Sequence, residues 1–333
     1  MAFSDNNQSL YGIPIDGIPV LSPIEVAKRF GNRAIFIVTI WHGGGTHRLQ
    51  QVRKQLIELG CVRVASFAFL FWKYSEIFLP YYSIGLPHGL LSQSDHILSG
   101  YNLWEDNASR EEYIAEVNFR LHLDFDGLPS PVGSPQYFAD GLFELNDREV
   151  YVDCGAYNGD TLQVFYEHHP AFKGTYYAIE PDPRNFRLLE EYAAGMPVAW
   201  RGRVKAFQTA VGVTAQSTVH FMAEGTVSST ISTSGTIEVS STSLDNILGG
   251  IQPTFIKMDI EGAEVDALEG ARISINKSLP ILAICLYHQP DHLWKIPLLI
   301  KSFSEEYRFF LRPHNEEGWD TVCYAVPSHR LVH

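Results

Sequence analysis

Basic residues, closely spaced cysteines and long apolar runs are all scarce in this sequence of 333 residues. Lysine and arginine total 25 against 38 aspartates and glutamates, so the formal net charge is −13. This balance argues against a nucleic-acid partner, because binding to a phosphate backbone requires clustered basic side chains. The sequence has neither a run of about 18 apolar residues nor the basic start and apolar stretch of a signal peptide. We therefore expect a soluble cytoplasmic protein without a membrane span.

The four cysteines are scattered, and no two of them form a C-x-x-C pair. Buried apolar side chains are therefore expected, rather than a disulfide framework or a metal site. Hydrophobic residues make up 45% of the chain, which is ordinary for a globular protein, and the length favours two domains. Residues 127–136 (GLPSPVGSPQ) are rich in turn formers, so we predict an N-terminal α/β accessory domain over 1–140 and a second domain over 141–333.

The first part contains one predicted βαβ unit. The apolar run at 34–40 and residues 61–67 predict strands, and the amphipathic stretch between them predicts a helix. Gly43, Gly44 and Gly45 follow the first strand, where free backbone N–H groups can bind phosphate. Their spacing is not G-x-G-x-x-G, so a tight structural turn is the main interpretation. An NAD- or nucleotide-sugar-dependent enzyme that uses this turn is the alternative.

Strand-like and helix-like segments alternate in the second part. Strands are predicted at 149–155, 175–181, 203–212 and 254–259, with an added hairpin from STVHFM and TIEVS and three further strands toward the end. Such alternation predicts an α/β fold with a doubly wound, mostly parallel, Rossmann-like sheet. Ligands of such folds bind at the carboxyl ends of the strands.

The turn after the first of these strands reads DCGAYNGDT and starts at Asp153. Counted from Gly155, a dinucleotide site requires glycine at the positions that Tyr157 and Asp160 occupy. An S-adenosylmethionine site favours an acid followed by glycines two and six residues later, which Asp153, Gly155 and Gly159 satisfy. That cofactor carries an ammonium and a carboxylate but no diphosphate, so an acidic turn with exposed N–H groups suits it.

Glu180 comes at the end of the next strand. An acid at this position can accept hydrogen bonds from both ribose hydroxyls, in dinucleotide and S-adenosylmethionine folds alike. Glu180 therefore supports a nucleoside ligand without selecting which one.

Four segments resemble the FkbM-family methyltransferases: DCGAYNGDT, IEPDPRNFRLL, FQTAVG and FIKMDIEGAEVDALEGA, the last with a K-x-D-x-E-G-x-E block. The resemblance extends over residues 146–327. It implies a class I methyltransferase fold for residues 141–333, S-adenosyl-L-methionine as methyl donor, and a hydroxyl of a sugar, glycan or small natural product as acceptor. The residues expected to bind the cofactor are Asp153, Gly155, Tyr157, Asn158, Gly159, Asp160, Thr161, Glu180, Pro181, Asn185, Gln208, Thr209, Ala210 and Asp259.

Asp259, Glu261 and His288 are the candidate catalytic residues. Methyl transfer requires in-line alignment of the acceptor oxygen and removal of its proton. The two acids, with Glu264, can act as a base, bind the cofactor's ammonium group, or hold a divalent cation that lowers the pKa of the acceptor hydroxyl. Glu264 can also simply stabilise a helix N-terminus. His288 follows a later strand and is the histidine best placed to act as general base, with His292 four residues further on.

Two further expectations concern regions outside these motifs. The N-terminal part is expected to shape the acceptor site or to form a homo-oligomer interface. The Ser/Thr-rich stretch at 224–235 fits either a mobile lid or an ordinary hairpin connection. A nucleotide-binding module without catalysis is a third class of function that the sequence leaves open.

Overall fold

The first part of the chain consists of short elements around one parallel strand pair. The structure is a computed structural model that describes residues 1–43, 48–214, 217–222, 230–231 and 237–332. In chain order the elements are β1 (Phe3–Ser4), β2 (Pro14–Ile15), β3 (Ile18–Leu21), α1 (Pro23–Phe30), β4 (Phe36–Val38), α2 (Leu49–Glu58), β5 (Val64–Ser66), α3 (Ala68–Lys73), α4 (Ser75–Phe78), α5 (Pro87–Leu91), α6 (Ser94–Tyr101) and α7 (Asn107–His122). Strands β4 and β5 pair in parallel, which confirms the predicted βαβ unit.

The second part continues with alternating strands and helices. Its elements are β6 (Val150–Cys154), α8 (Asp160–His168), β7 (Thr175–Ile179), α9 (Pro183–Gly195), α10 (Val198–Arg201), β8 (Val204–Phe207), β9 (Ala210–Val211), β10 (Ser217–Met222), β11 (Thr230–Ile231), β12 (Ile237–Thr242), α11 (Leu244–Leu248), β13 (Phe255–Met258), α12 (Glu264–Glu269), α13 (Arg272–Ser278), β14 (Ile281–Cys285), α14 (His292–Phe303), β15 (Tyr307–Pro313) and β16 (Thr321–Pro327).

Seven of the described strands form the main sheet, in the order β15-β16-β14-β13-β6-β7-β8. The five strands from β14 to β8 are mutually parallel, and β16 and β15 join antiparallel at one edge. Strands β13 and β14 are buried along their whole length, as expected when helices cover both faces of a parallel sheet. The predicted α/β fold with a doubly wound, mostly parallel sheet is confirmed.

The added hairpin is also confirmed, since β10 and β12 pair antiparallel. The predicted third strand, however, is divided. Strand β8 belongs to the main sheet, whereas β9 pairs with β12 in a separate four-stranded sheet. Backbone pairing therefore transfers from one sheet to the other across Gln208 and Thr209. Most of the stretch at 224–235, and with it the lid prediction, lies outside the described residues, as do Gly44 and Gly45.

The two parts of the chain share their hydrophobic core. One cluster of buried side chains joins Trp41 and Phe67 of the first part to Tyr151, Phe255 and Tyr324 of the main sheet. The four short helices α3 to α6 lie within the aromatic stretch at 67–101 that follows β5, and rings of this stretch pack in the same core. The domain boundary near residue 140 stays a prediction. Among the described helices, none has the length and apolar character needed to cross a membrane.

Candidate active site

One cavity of about 530 Å³ opens at the carboxyl ends of β6, β7 and β13, where ligands of parallel sheets bind. Both parts of the chain form its wall. The first part and the predicted linker contribute Trp41, His42, Gly43, Tyr81, Tyr82, Gln136 and Tyr137. The second part contributes Gly155, Tyr157, Asp160, Thr161, Ile179, Glu180, Pro181, Asn185, Thr209, Ala210, Val211, Lys257, Asp259, Ile260, Glu261, Ala263, Tyr287, Trp319 and Asp320.

Most of the predicted cofactor-binding residues meet on this wall. Ten of the fourteen line the cavity, and they come from the glycine turn, the end of β7, the start of α9, the β8–β9 region and the residue after β13. Four do not line it: Asp153, Asn158, Gly159 and Gln208. The sheet therefore collects residues that are up to about a hundred positions apart in the sequence.

Gly155 makes the glycine turn narrow enough to fit against the neighbouring strand. Its φ is +81°, and a Cβ atom added to it would lie 1.9 Å from the carbonyl oxygen of Asp259. The N–H groups of Gly155 and Ala156 both donate to the carbonyl of Ile179, at 2.9 and 3.0 Å. A side chain at position 155 would thus push the turn away from β13.

Asp153 lies beneath this turn, fully buried. Its Oδ1 is 2.9 Å from Nζ of Lys257, and its Oδ2 accepts a hydrogen bond of 2.7 Å from the hydroxyl of Tyr176. Lys257 also donates to the carbonyl of Gly155, at 2.6 Å. Burial disfavours the charge on Lys257, but the carboxylates of Asp153 and Asp259 outweigh burial and raise the pKa of Lys257. Asp153 and Lys257 therefore support the glycine turn from within the sheet.

Glu180, the acid predicted to bind ribose, lines the cavity just after β7. The side chain is buried, and its two oxygens accept hydrogen bonds from the backbone N–H groups of Asp182 and Tyr157, both at 2.9 Å. Burial raises the pKa of Glu180 to about 7, although these two bonds oppose the shift. A carboxylate offers about four acceptor positions, so each oxygen retains one for a further donor.

The acids after β13 surround a buried histidine. Nε2 of His288 lies 3.2 Å from Oδ1 of Asp259 and 3.9 Å from Oε2 of Glu261. Its Nδ1 lies 2.7 Å from Oε1 of Glu264, and Nδ1 of His292 is 3.3 Å from the other oxygen of Glu264. The structure therefore brings all the predicted catalytic residues together, with Asp259 and Glu261 on the cavity wall and His288 behind them.

The pKa values of His288, Asp259 and Glu261 are shifted in different ways by their surroundings. Burial disfavours the charge on His288, but the charge of Glu264 and hydrogen bonds to Asp259 and Glu264 raise its pKa well above the ordinary value. Burial also opposes ionisation of Asp259, yet the hydrogen bond from His288 and the charge of Lys257 hold its pKa well below the ordinary range. Burial raises the pKa of Glu261 to about 8, partly offset by the charge of His288. These shifts favour the protonated form of His288, the ionised form of Asp259 and the protonated form of Glu261.

Several aromatic residues of the site were missed from the sequence. Trp41 and Trp319 pack with ring centroids 4.7 Å apart, and Tyr82 lies 4.8 Å from Trp319. The hydroxyls of Tyr137 and Tyr287 donate to the two oxygens of Asp259, at 2.7 and 3.2 Å. The aromatic density after β5 was the only sequence signal for part of this set. Tyr137 immediately follows the stretch predicted to be a linker.

Within the described ranges, no group of three or more histidine, cysteine, aspartate or glutamate side chains is arranged to hold a metal ion. The cysteines Cys61, Cys154, Cys285 and Cys323 are buried and unpaired, as the sequence predicted.

The family comparison matches the part of the chain that carries this geometry. Residues 153–316 match the family model described as the methyltransferase FkbM domain. Residues 153–316 are an FkbM methyltransferase domain. The K-x-D-x-E-G-x-E block of this FkbM domain is the segment from Lys257 to Glu264, which supplies the cation beneath the turn and the acids around His288.

Solved structures extend the similarity in fold beyond the FkbM domain. The methyltransferase FkbM from Methylobacillus flagellatus KT aligns with a TM-score of 0.77 at 23% identity, over 98% of this chain and 83% of that one. An Aeropyrum pernix fibrillarin in complex with natively bound S-adenosyl-L-methionine aligns with a TM-score of 0.33 at 13% identity, over 56% of this chain and 70% of that one. The curated proteins searched contain no match to this chain.

Proposed function

We propose that this FkbM methyltransferase transfers a methyl group from S-adenosylmethionine to a hydroxyl of an uncharged acceptor such as a sugar, a glycan or a small natural product. The observation that carries the proposal is the shared cavity. A glycine turn and the ribose-type acid Glu180 line one side, while Asp259, Glu261 and aromatic rings line the other. A donor and an acceptor can therefore meet in one enclosed space.

The residues present fit S-adenosylmethionine. Glu180 keeps acceptor positions for two ribose hydroxyls, and the turn around Gly155 exposes backbone next to the cavity. In this fold the segment after the third strand, here Gln208, Thr209 and Ala210, flanks adenine, and Thr209 and Ala210 line the cavity. When bound, the cofactor supplies an electrophilic methyl group on a sulfonium. The chain's own residues bind it, orient the acceptor and move the acceptor's proton.

We assign the proton acceptor to Glu261 rather than to His288. A protonated imidazole has no free electron pair, and the carboxylates of Glu264 and Asp259 favour that form of His288 by raising its pKa. Glu261 lines the cavity, whereas His288 does not. A general base works best when its pKa is near the working pH, which the value of about 8 for Glu261 satisfies. Asp259, which accepts hydrogen bonds from the hydroxyls of Tyr137 and Tyr287, orients the acceptor hydroxyl.

The charged side chains on the cavity wall favour an uncharged acceptor. Acidic side chains predominate on it, and Lys257 already pairs with Asp153. A phosphate or carboxylate on the acceptor would be repelled by these acids, whereas a neutral polyhydroxylated ring would not. The rings of Trp41, Tyr82 and Trp319 offer flat apolar surface for such a ring.

Calorimetry with S-adenosylmethionine and S-adenosylhomocysteine tests the donor site. We expect both to bind, and binding to weaken in Asp153→Ala and Glu180→Ala. Unchanged binding in both variants, or no binding to the unaltered protein, contradicts the donor assignment. NAD or a nucleotide sugar retained by the protein and lost on changing Gly43, Gly44 and Gly45 would favour the rival enzyme class.

Mass spectrometry of small molecules released from the purified protein tests the acceptor class. We expect a neutral hydroxyl compound, and label transfer from methyl-labelled donor to neutral glycosides in preference to their phosphorylated forms. Assays with and without EDTA measure any need for a divalent cation. Faster transfer to a phosphorylated acceptor, or transfer to nitrogen, would contradict the proposed acceptor class.

A further inference from the structure

Glu264 is fully buried and makes an unusual number of contacts for one carboxylate. Its Oε1 accepts hydrogen bonds from the backbone N–H groups of Ile260 and Gly262, at 3.0 and 3.4 Å. The same oxygen is 2.7 Å from Nδ1 of His288, and Oε2 is 3.3 Å from Nδ1 of His292. Glu264 thus connects the loop after β13 to the segment after β14, two elements that meet only in the folded chain.

The loop that Glu264 holds has a strained backbone. Glu261 has a φ of +55° and Gly262 a φ of +101°. A left-handed conformation is unfavourable for a non-glycine residue, so Glu261 adopts it only if its surroundings impose it. The bonds to the amides of Ile260 and Gly262 lie on either side of Glu261. They therefore fix the backbone that directs Glu261 toward the cavity.

Glu264 also decides which way His288 points. Because Nδ1 of His288 faces Glu264, its Nε2 faces Asp259 and Glu261 on the cavity wall. A carboxylate that fixes the orientation and charge of a histidine is the usual third member of a catalytic chain. Nε2 of His288 lies 3.2 Å from Oδ1 of Asp259, so the imidazole favours the charged form of that carboxylate.

We propose that Glu264 is a positioning residue that, through the loop amides and His288, holds Asp259 and Glu261 in their working orientation on the cavity wall. The proposal rests on the proposed function, because it assigns the roles of Asp259 and Glu261 from it. Glu264 itself does not line the cavity. Glu264 therefore affects the reaction only through other residues. Removal of its charge alters Asp259 and Glu261, which line the cavity.

The ionisable and aromatic groups around His288 determine how the proton affinity of His288 responds to a substitution. They come from the loop after β13, from α14 and its preceding segment, from the segment before β16 and from the first part of the chain: Asp259, Glu261, Glu264, Tyr287, His292, Asp320 and the ring of Tyr82. Glu264 makes the shortest contact with the imidazole, at 2.7 Å. Loss of its charge should therefore dominate any change in the proton affinity of His288.

Histidine-selective NMR on the full chain tests the proposal. The signal of His288 is assigned by its loss in His288→Gln. In Glu264→Gln, which keeps an oxygen acceptor for the loop amides but removes the charge, we expect the proton affinity of His288 to fall at least tenfold. Glu264→Asp, which retains the charge, should restore most of that affinity. Glu305→Gln is the matched control, since Glu305 is 85% exposed and should leave His288 unchanged.

Equal titration of His288 in the unaltered protein and Glu264→Gln would overturn the proposal, as would Asp and Gln variants that behave alike. If Glu264→Gln does not fold, Glu264→Asp is measured instead, because its shorter carboxylate should lower the proton affinity of His288 only partly.

Calorimetry with S-adenosylhomocysteine separates this proposal from the proposed function. Glu264→Gln should bind it within about threefold of the unaltered protein, whereas failure of the unaltered protein to bind contradicts the donor assignment instead.

Discussion

The ammonium nitrogen of Lys257 lies 2.9 Å from a carboxylate oxygen of Asp153, and both side chains are almost fully buried. This pair joins β13 to β6 directly below the glycine turn, where Lys257 also bonds to the carbonyl of Gly155. The lysine of the FkbM block and the acid of the turn, a hundred positions apart, therefore act as one unit. Removal of either partner leaves an uncompensated charge inside the sheet.

Lys257→Met should lower the free energy of unfolding by about 3–5 kcal/mol, because Asp153 would remain buried without its counter-ion. The double variant Asp153→Asn with Lys257→Met should lose less than the single one. Chemical denaturation measures both. Lys295→Met is the control, since its pair with Asp291 is largely exposed and worth about 0–1 kcal/mol. Equal losses in the single and double variants would show that the two charges are not coupled.

Gly155→Ala should destabilise the protein by about 2–5 kcal/mol and weaken binding of S-adenosylhomocysteine. Two penalties add: a left-handed backbone, and a Cβ atom 1.9 Å from the carbonyl of Asp259. Gly141→Ala separates them, because its φ is +75° but nothing lies within 4 Å of the added atom. That control should cost only about 1–2 kcal/mol. Similar losses at both positions would mean that crowding against β13 contributes nothing.

Binding of S-adenosylhomocysteine should weaken as the pH falls through about 7. In the proposed donor site the ionised form of Glu180 accepts the ribose hydroxyls, and burial raises the pKa of Glu180 to about 7. Below that pH the carboxyl must release a proton on binding, so affinity should fall up to about tenfold per pH unit. Calorimetry from about pH 5.5 to 8 measures the profile. In Glu180→Gln the affinity should be low and this slope absent, whereas the exposed Glu190→Gln should retain the slope.

Glu261→Gln should stabilise the protein at alkaline pH relative to the unaltered chain. The folded pKa of Glu261 is about 8, raised from 4.5, so the folded state holds this proton more tightly than the unfolded state. Its contribution to stability is present below about pH 4.5 and is lost as the pH rises through 8. Glu261→Gln has no such proton to lose. Its free energy of unfolding relative to that of the unaltered protein should therefore rise by about 1–3 kcal/mol between pH 5 and 9. Thermal unfolding across this range measures the difference, with Glu305→Gln as control, and a constant difference would contradict the raised pKa.

Sequence patterns predicted those residues of the site whose position depends only on a short segment of the chain. Gly155 and Glu180 follow strands, and a strand end in a parallel sheet lies at the ligand-binding edge whatever the rest of the chain does. The same argument located Asp259 and Glu261 beyond β13. The prediction failed in detail at residues 203–212, because the choice between two sheets depends on the distant partner β12.

The sequence by itself determined the alternation of strands and helices, the glycine turn and the acidic block, because each depends on residues close together in the chain. Only the tertiary structure placed Tyr137 on Asp259, 122 positions away, and Tyr82 beside Trp319. It also placed His288, the candidate general base, between the carboxylates of Asp259 and Glu264, which raise its pKa. The pKa of a buried group depends on which charges and dipoles surround it, and those neighbours are set by the packing of distant segments rather than by adjacent residues.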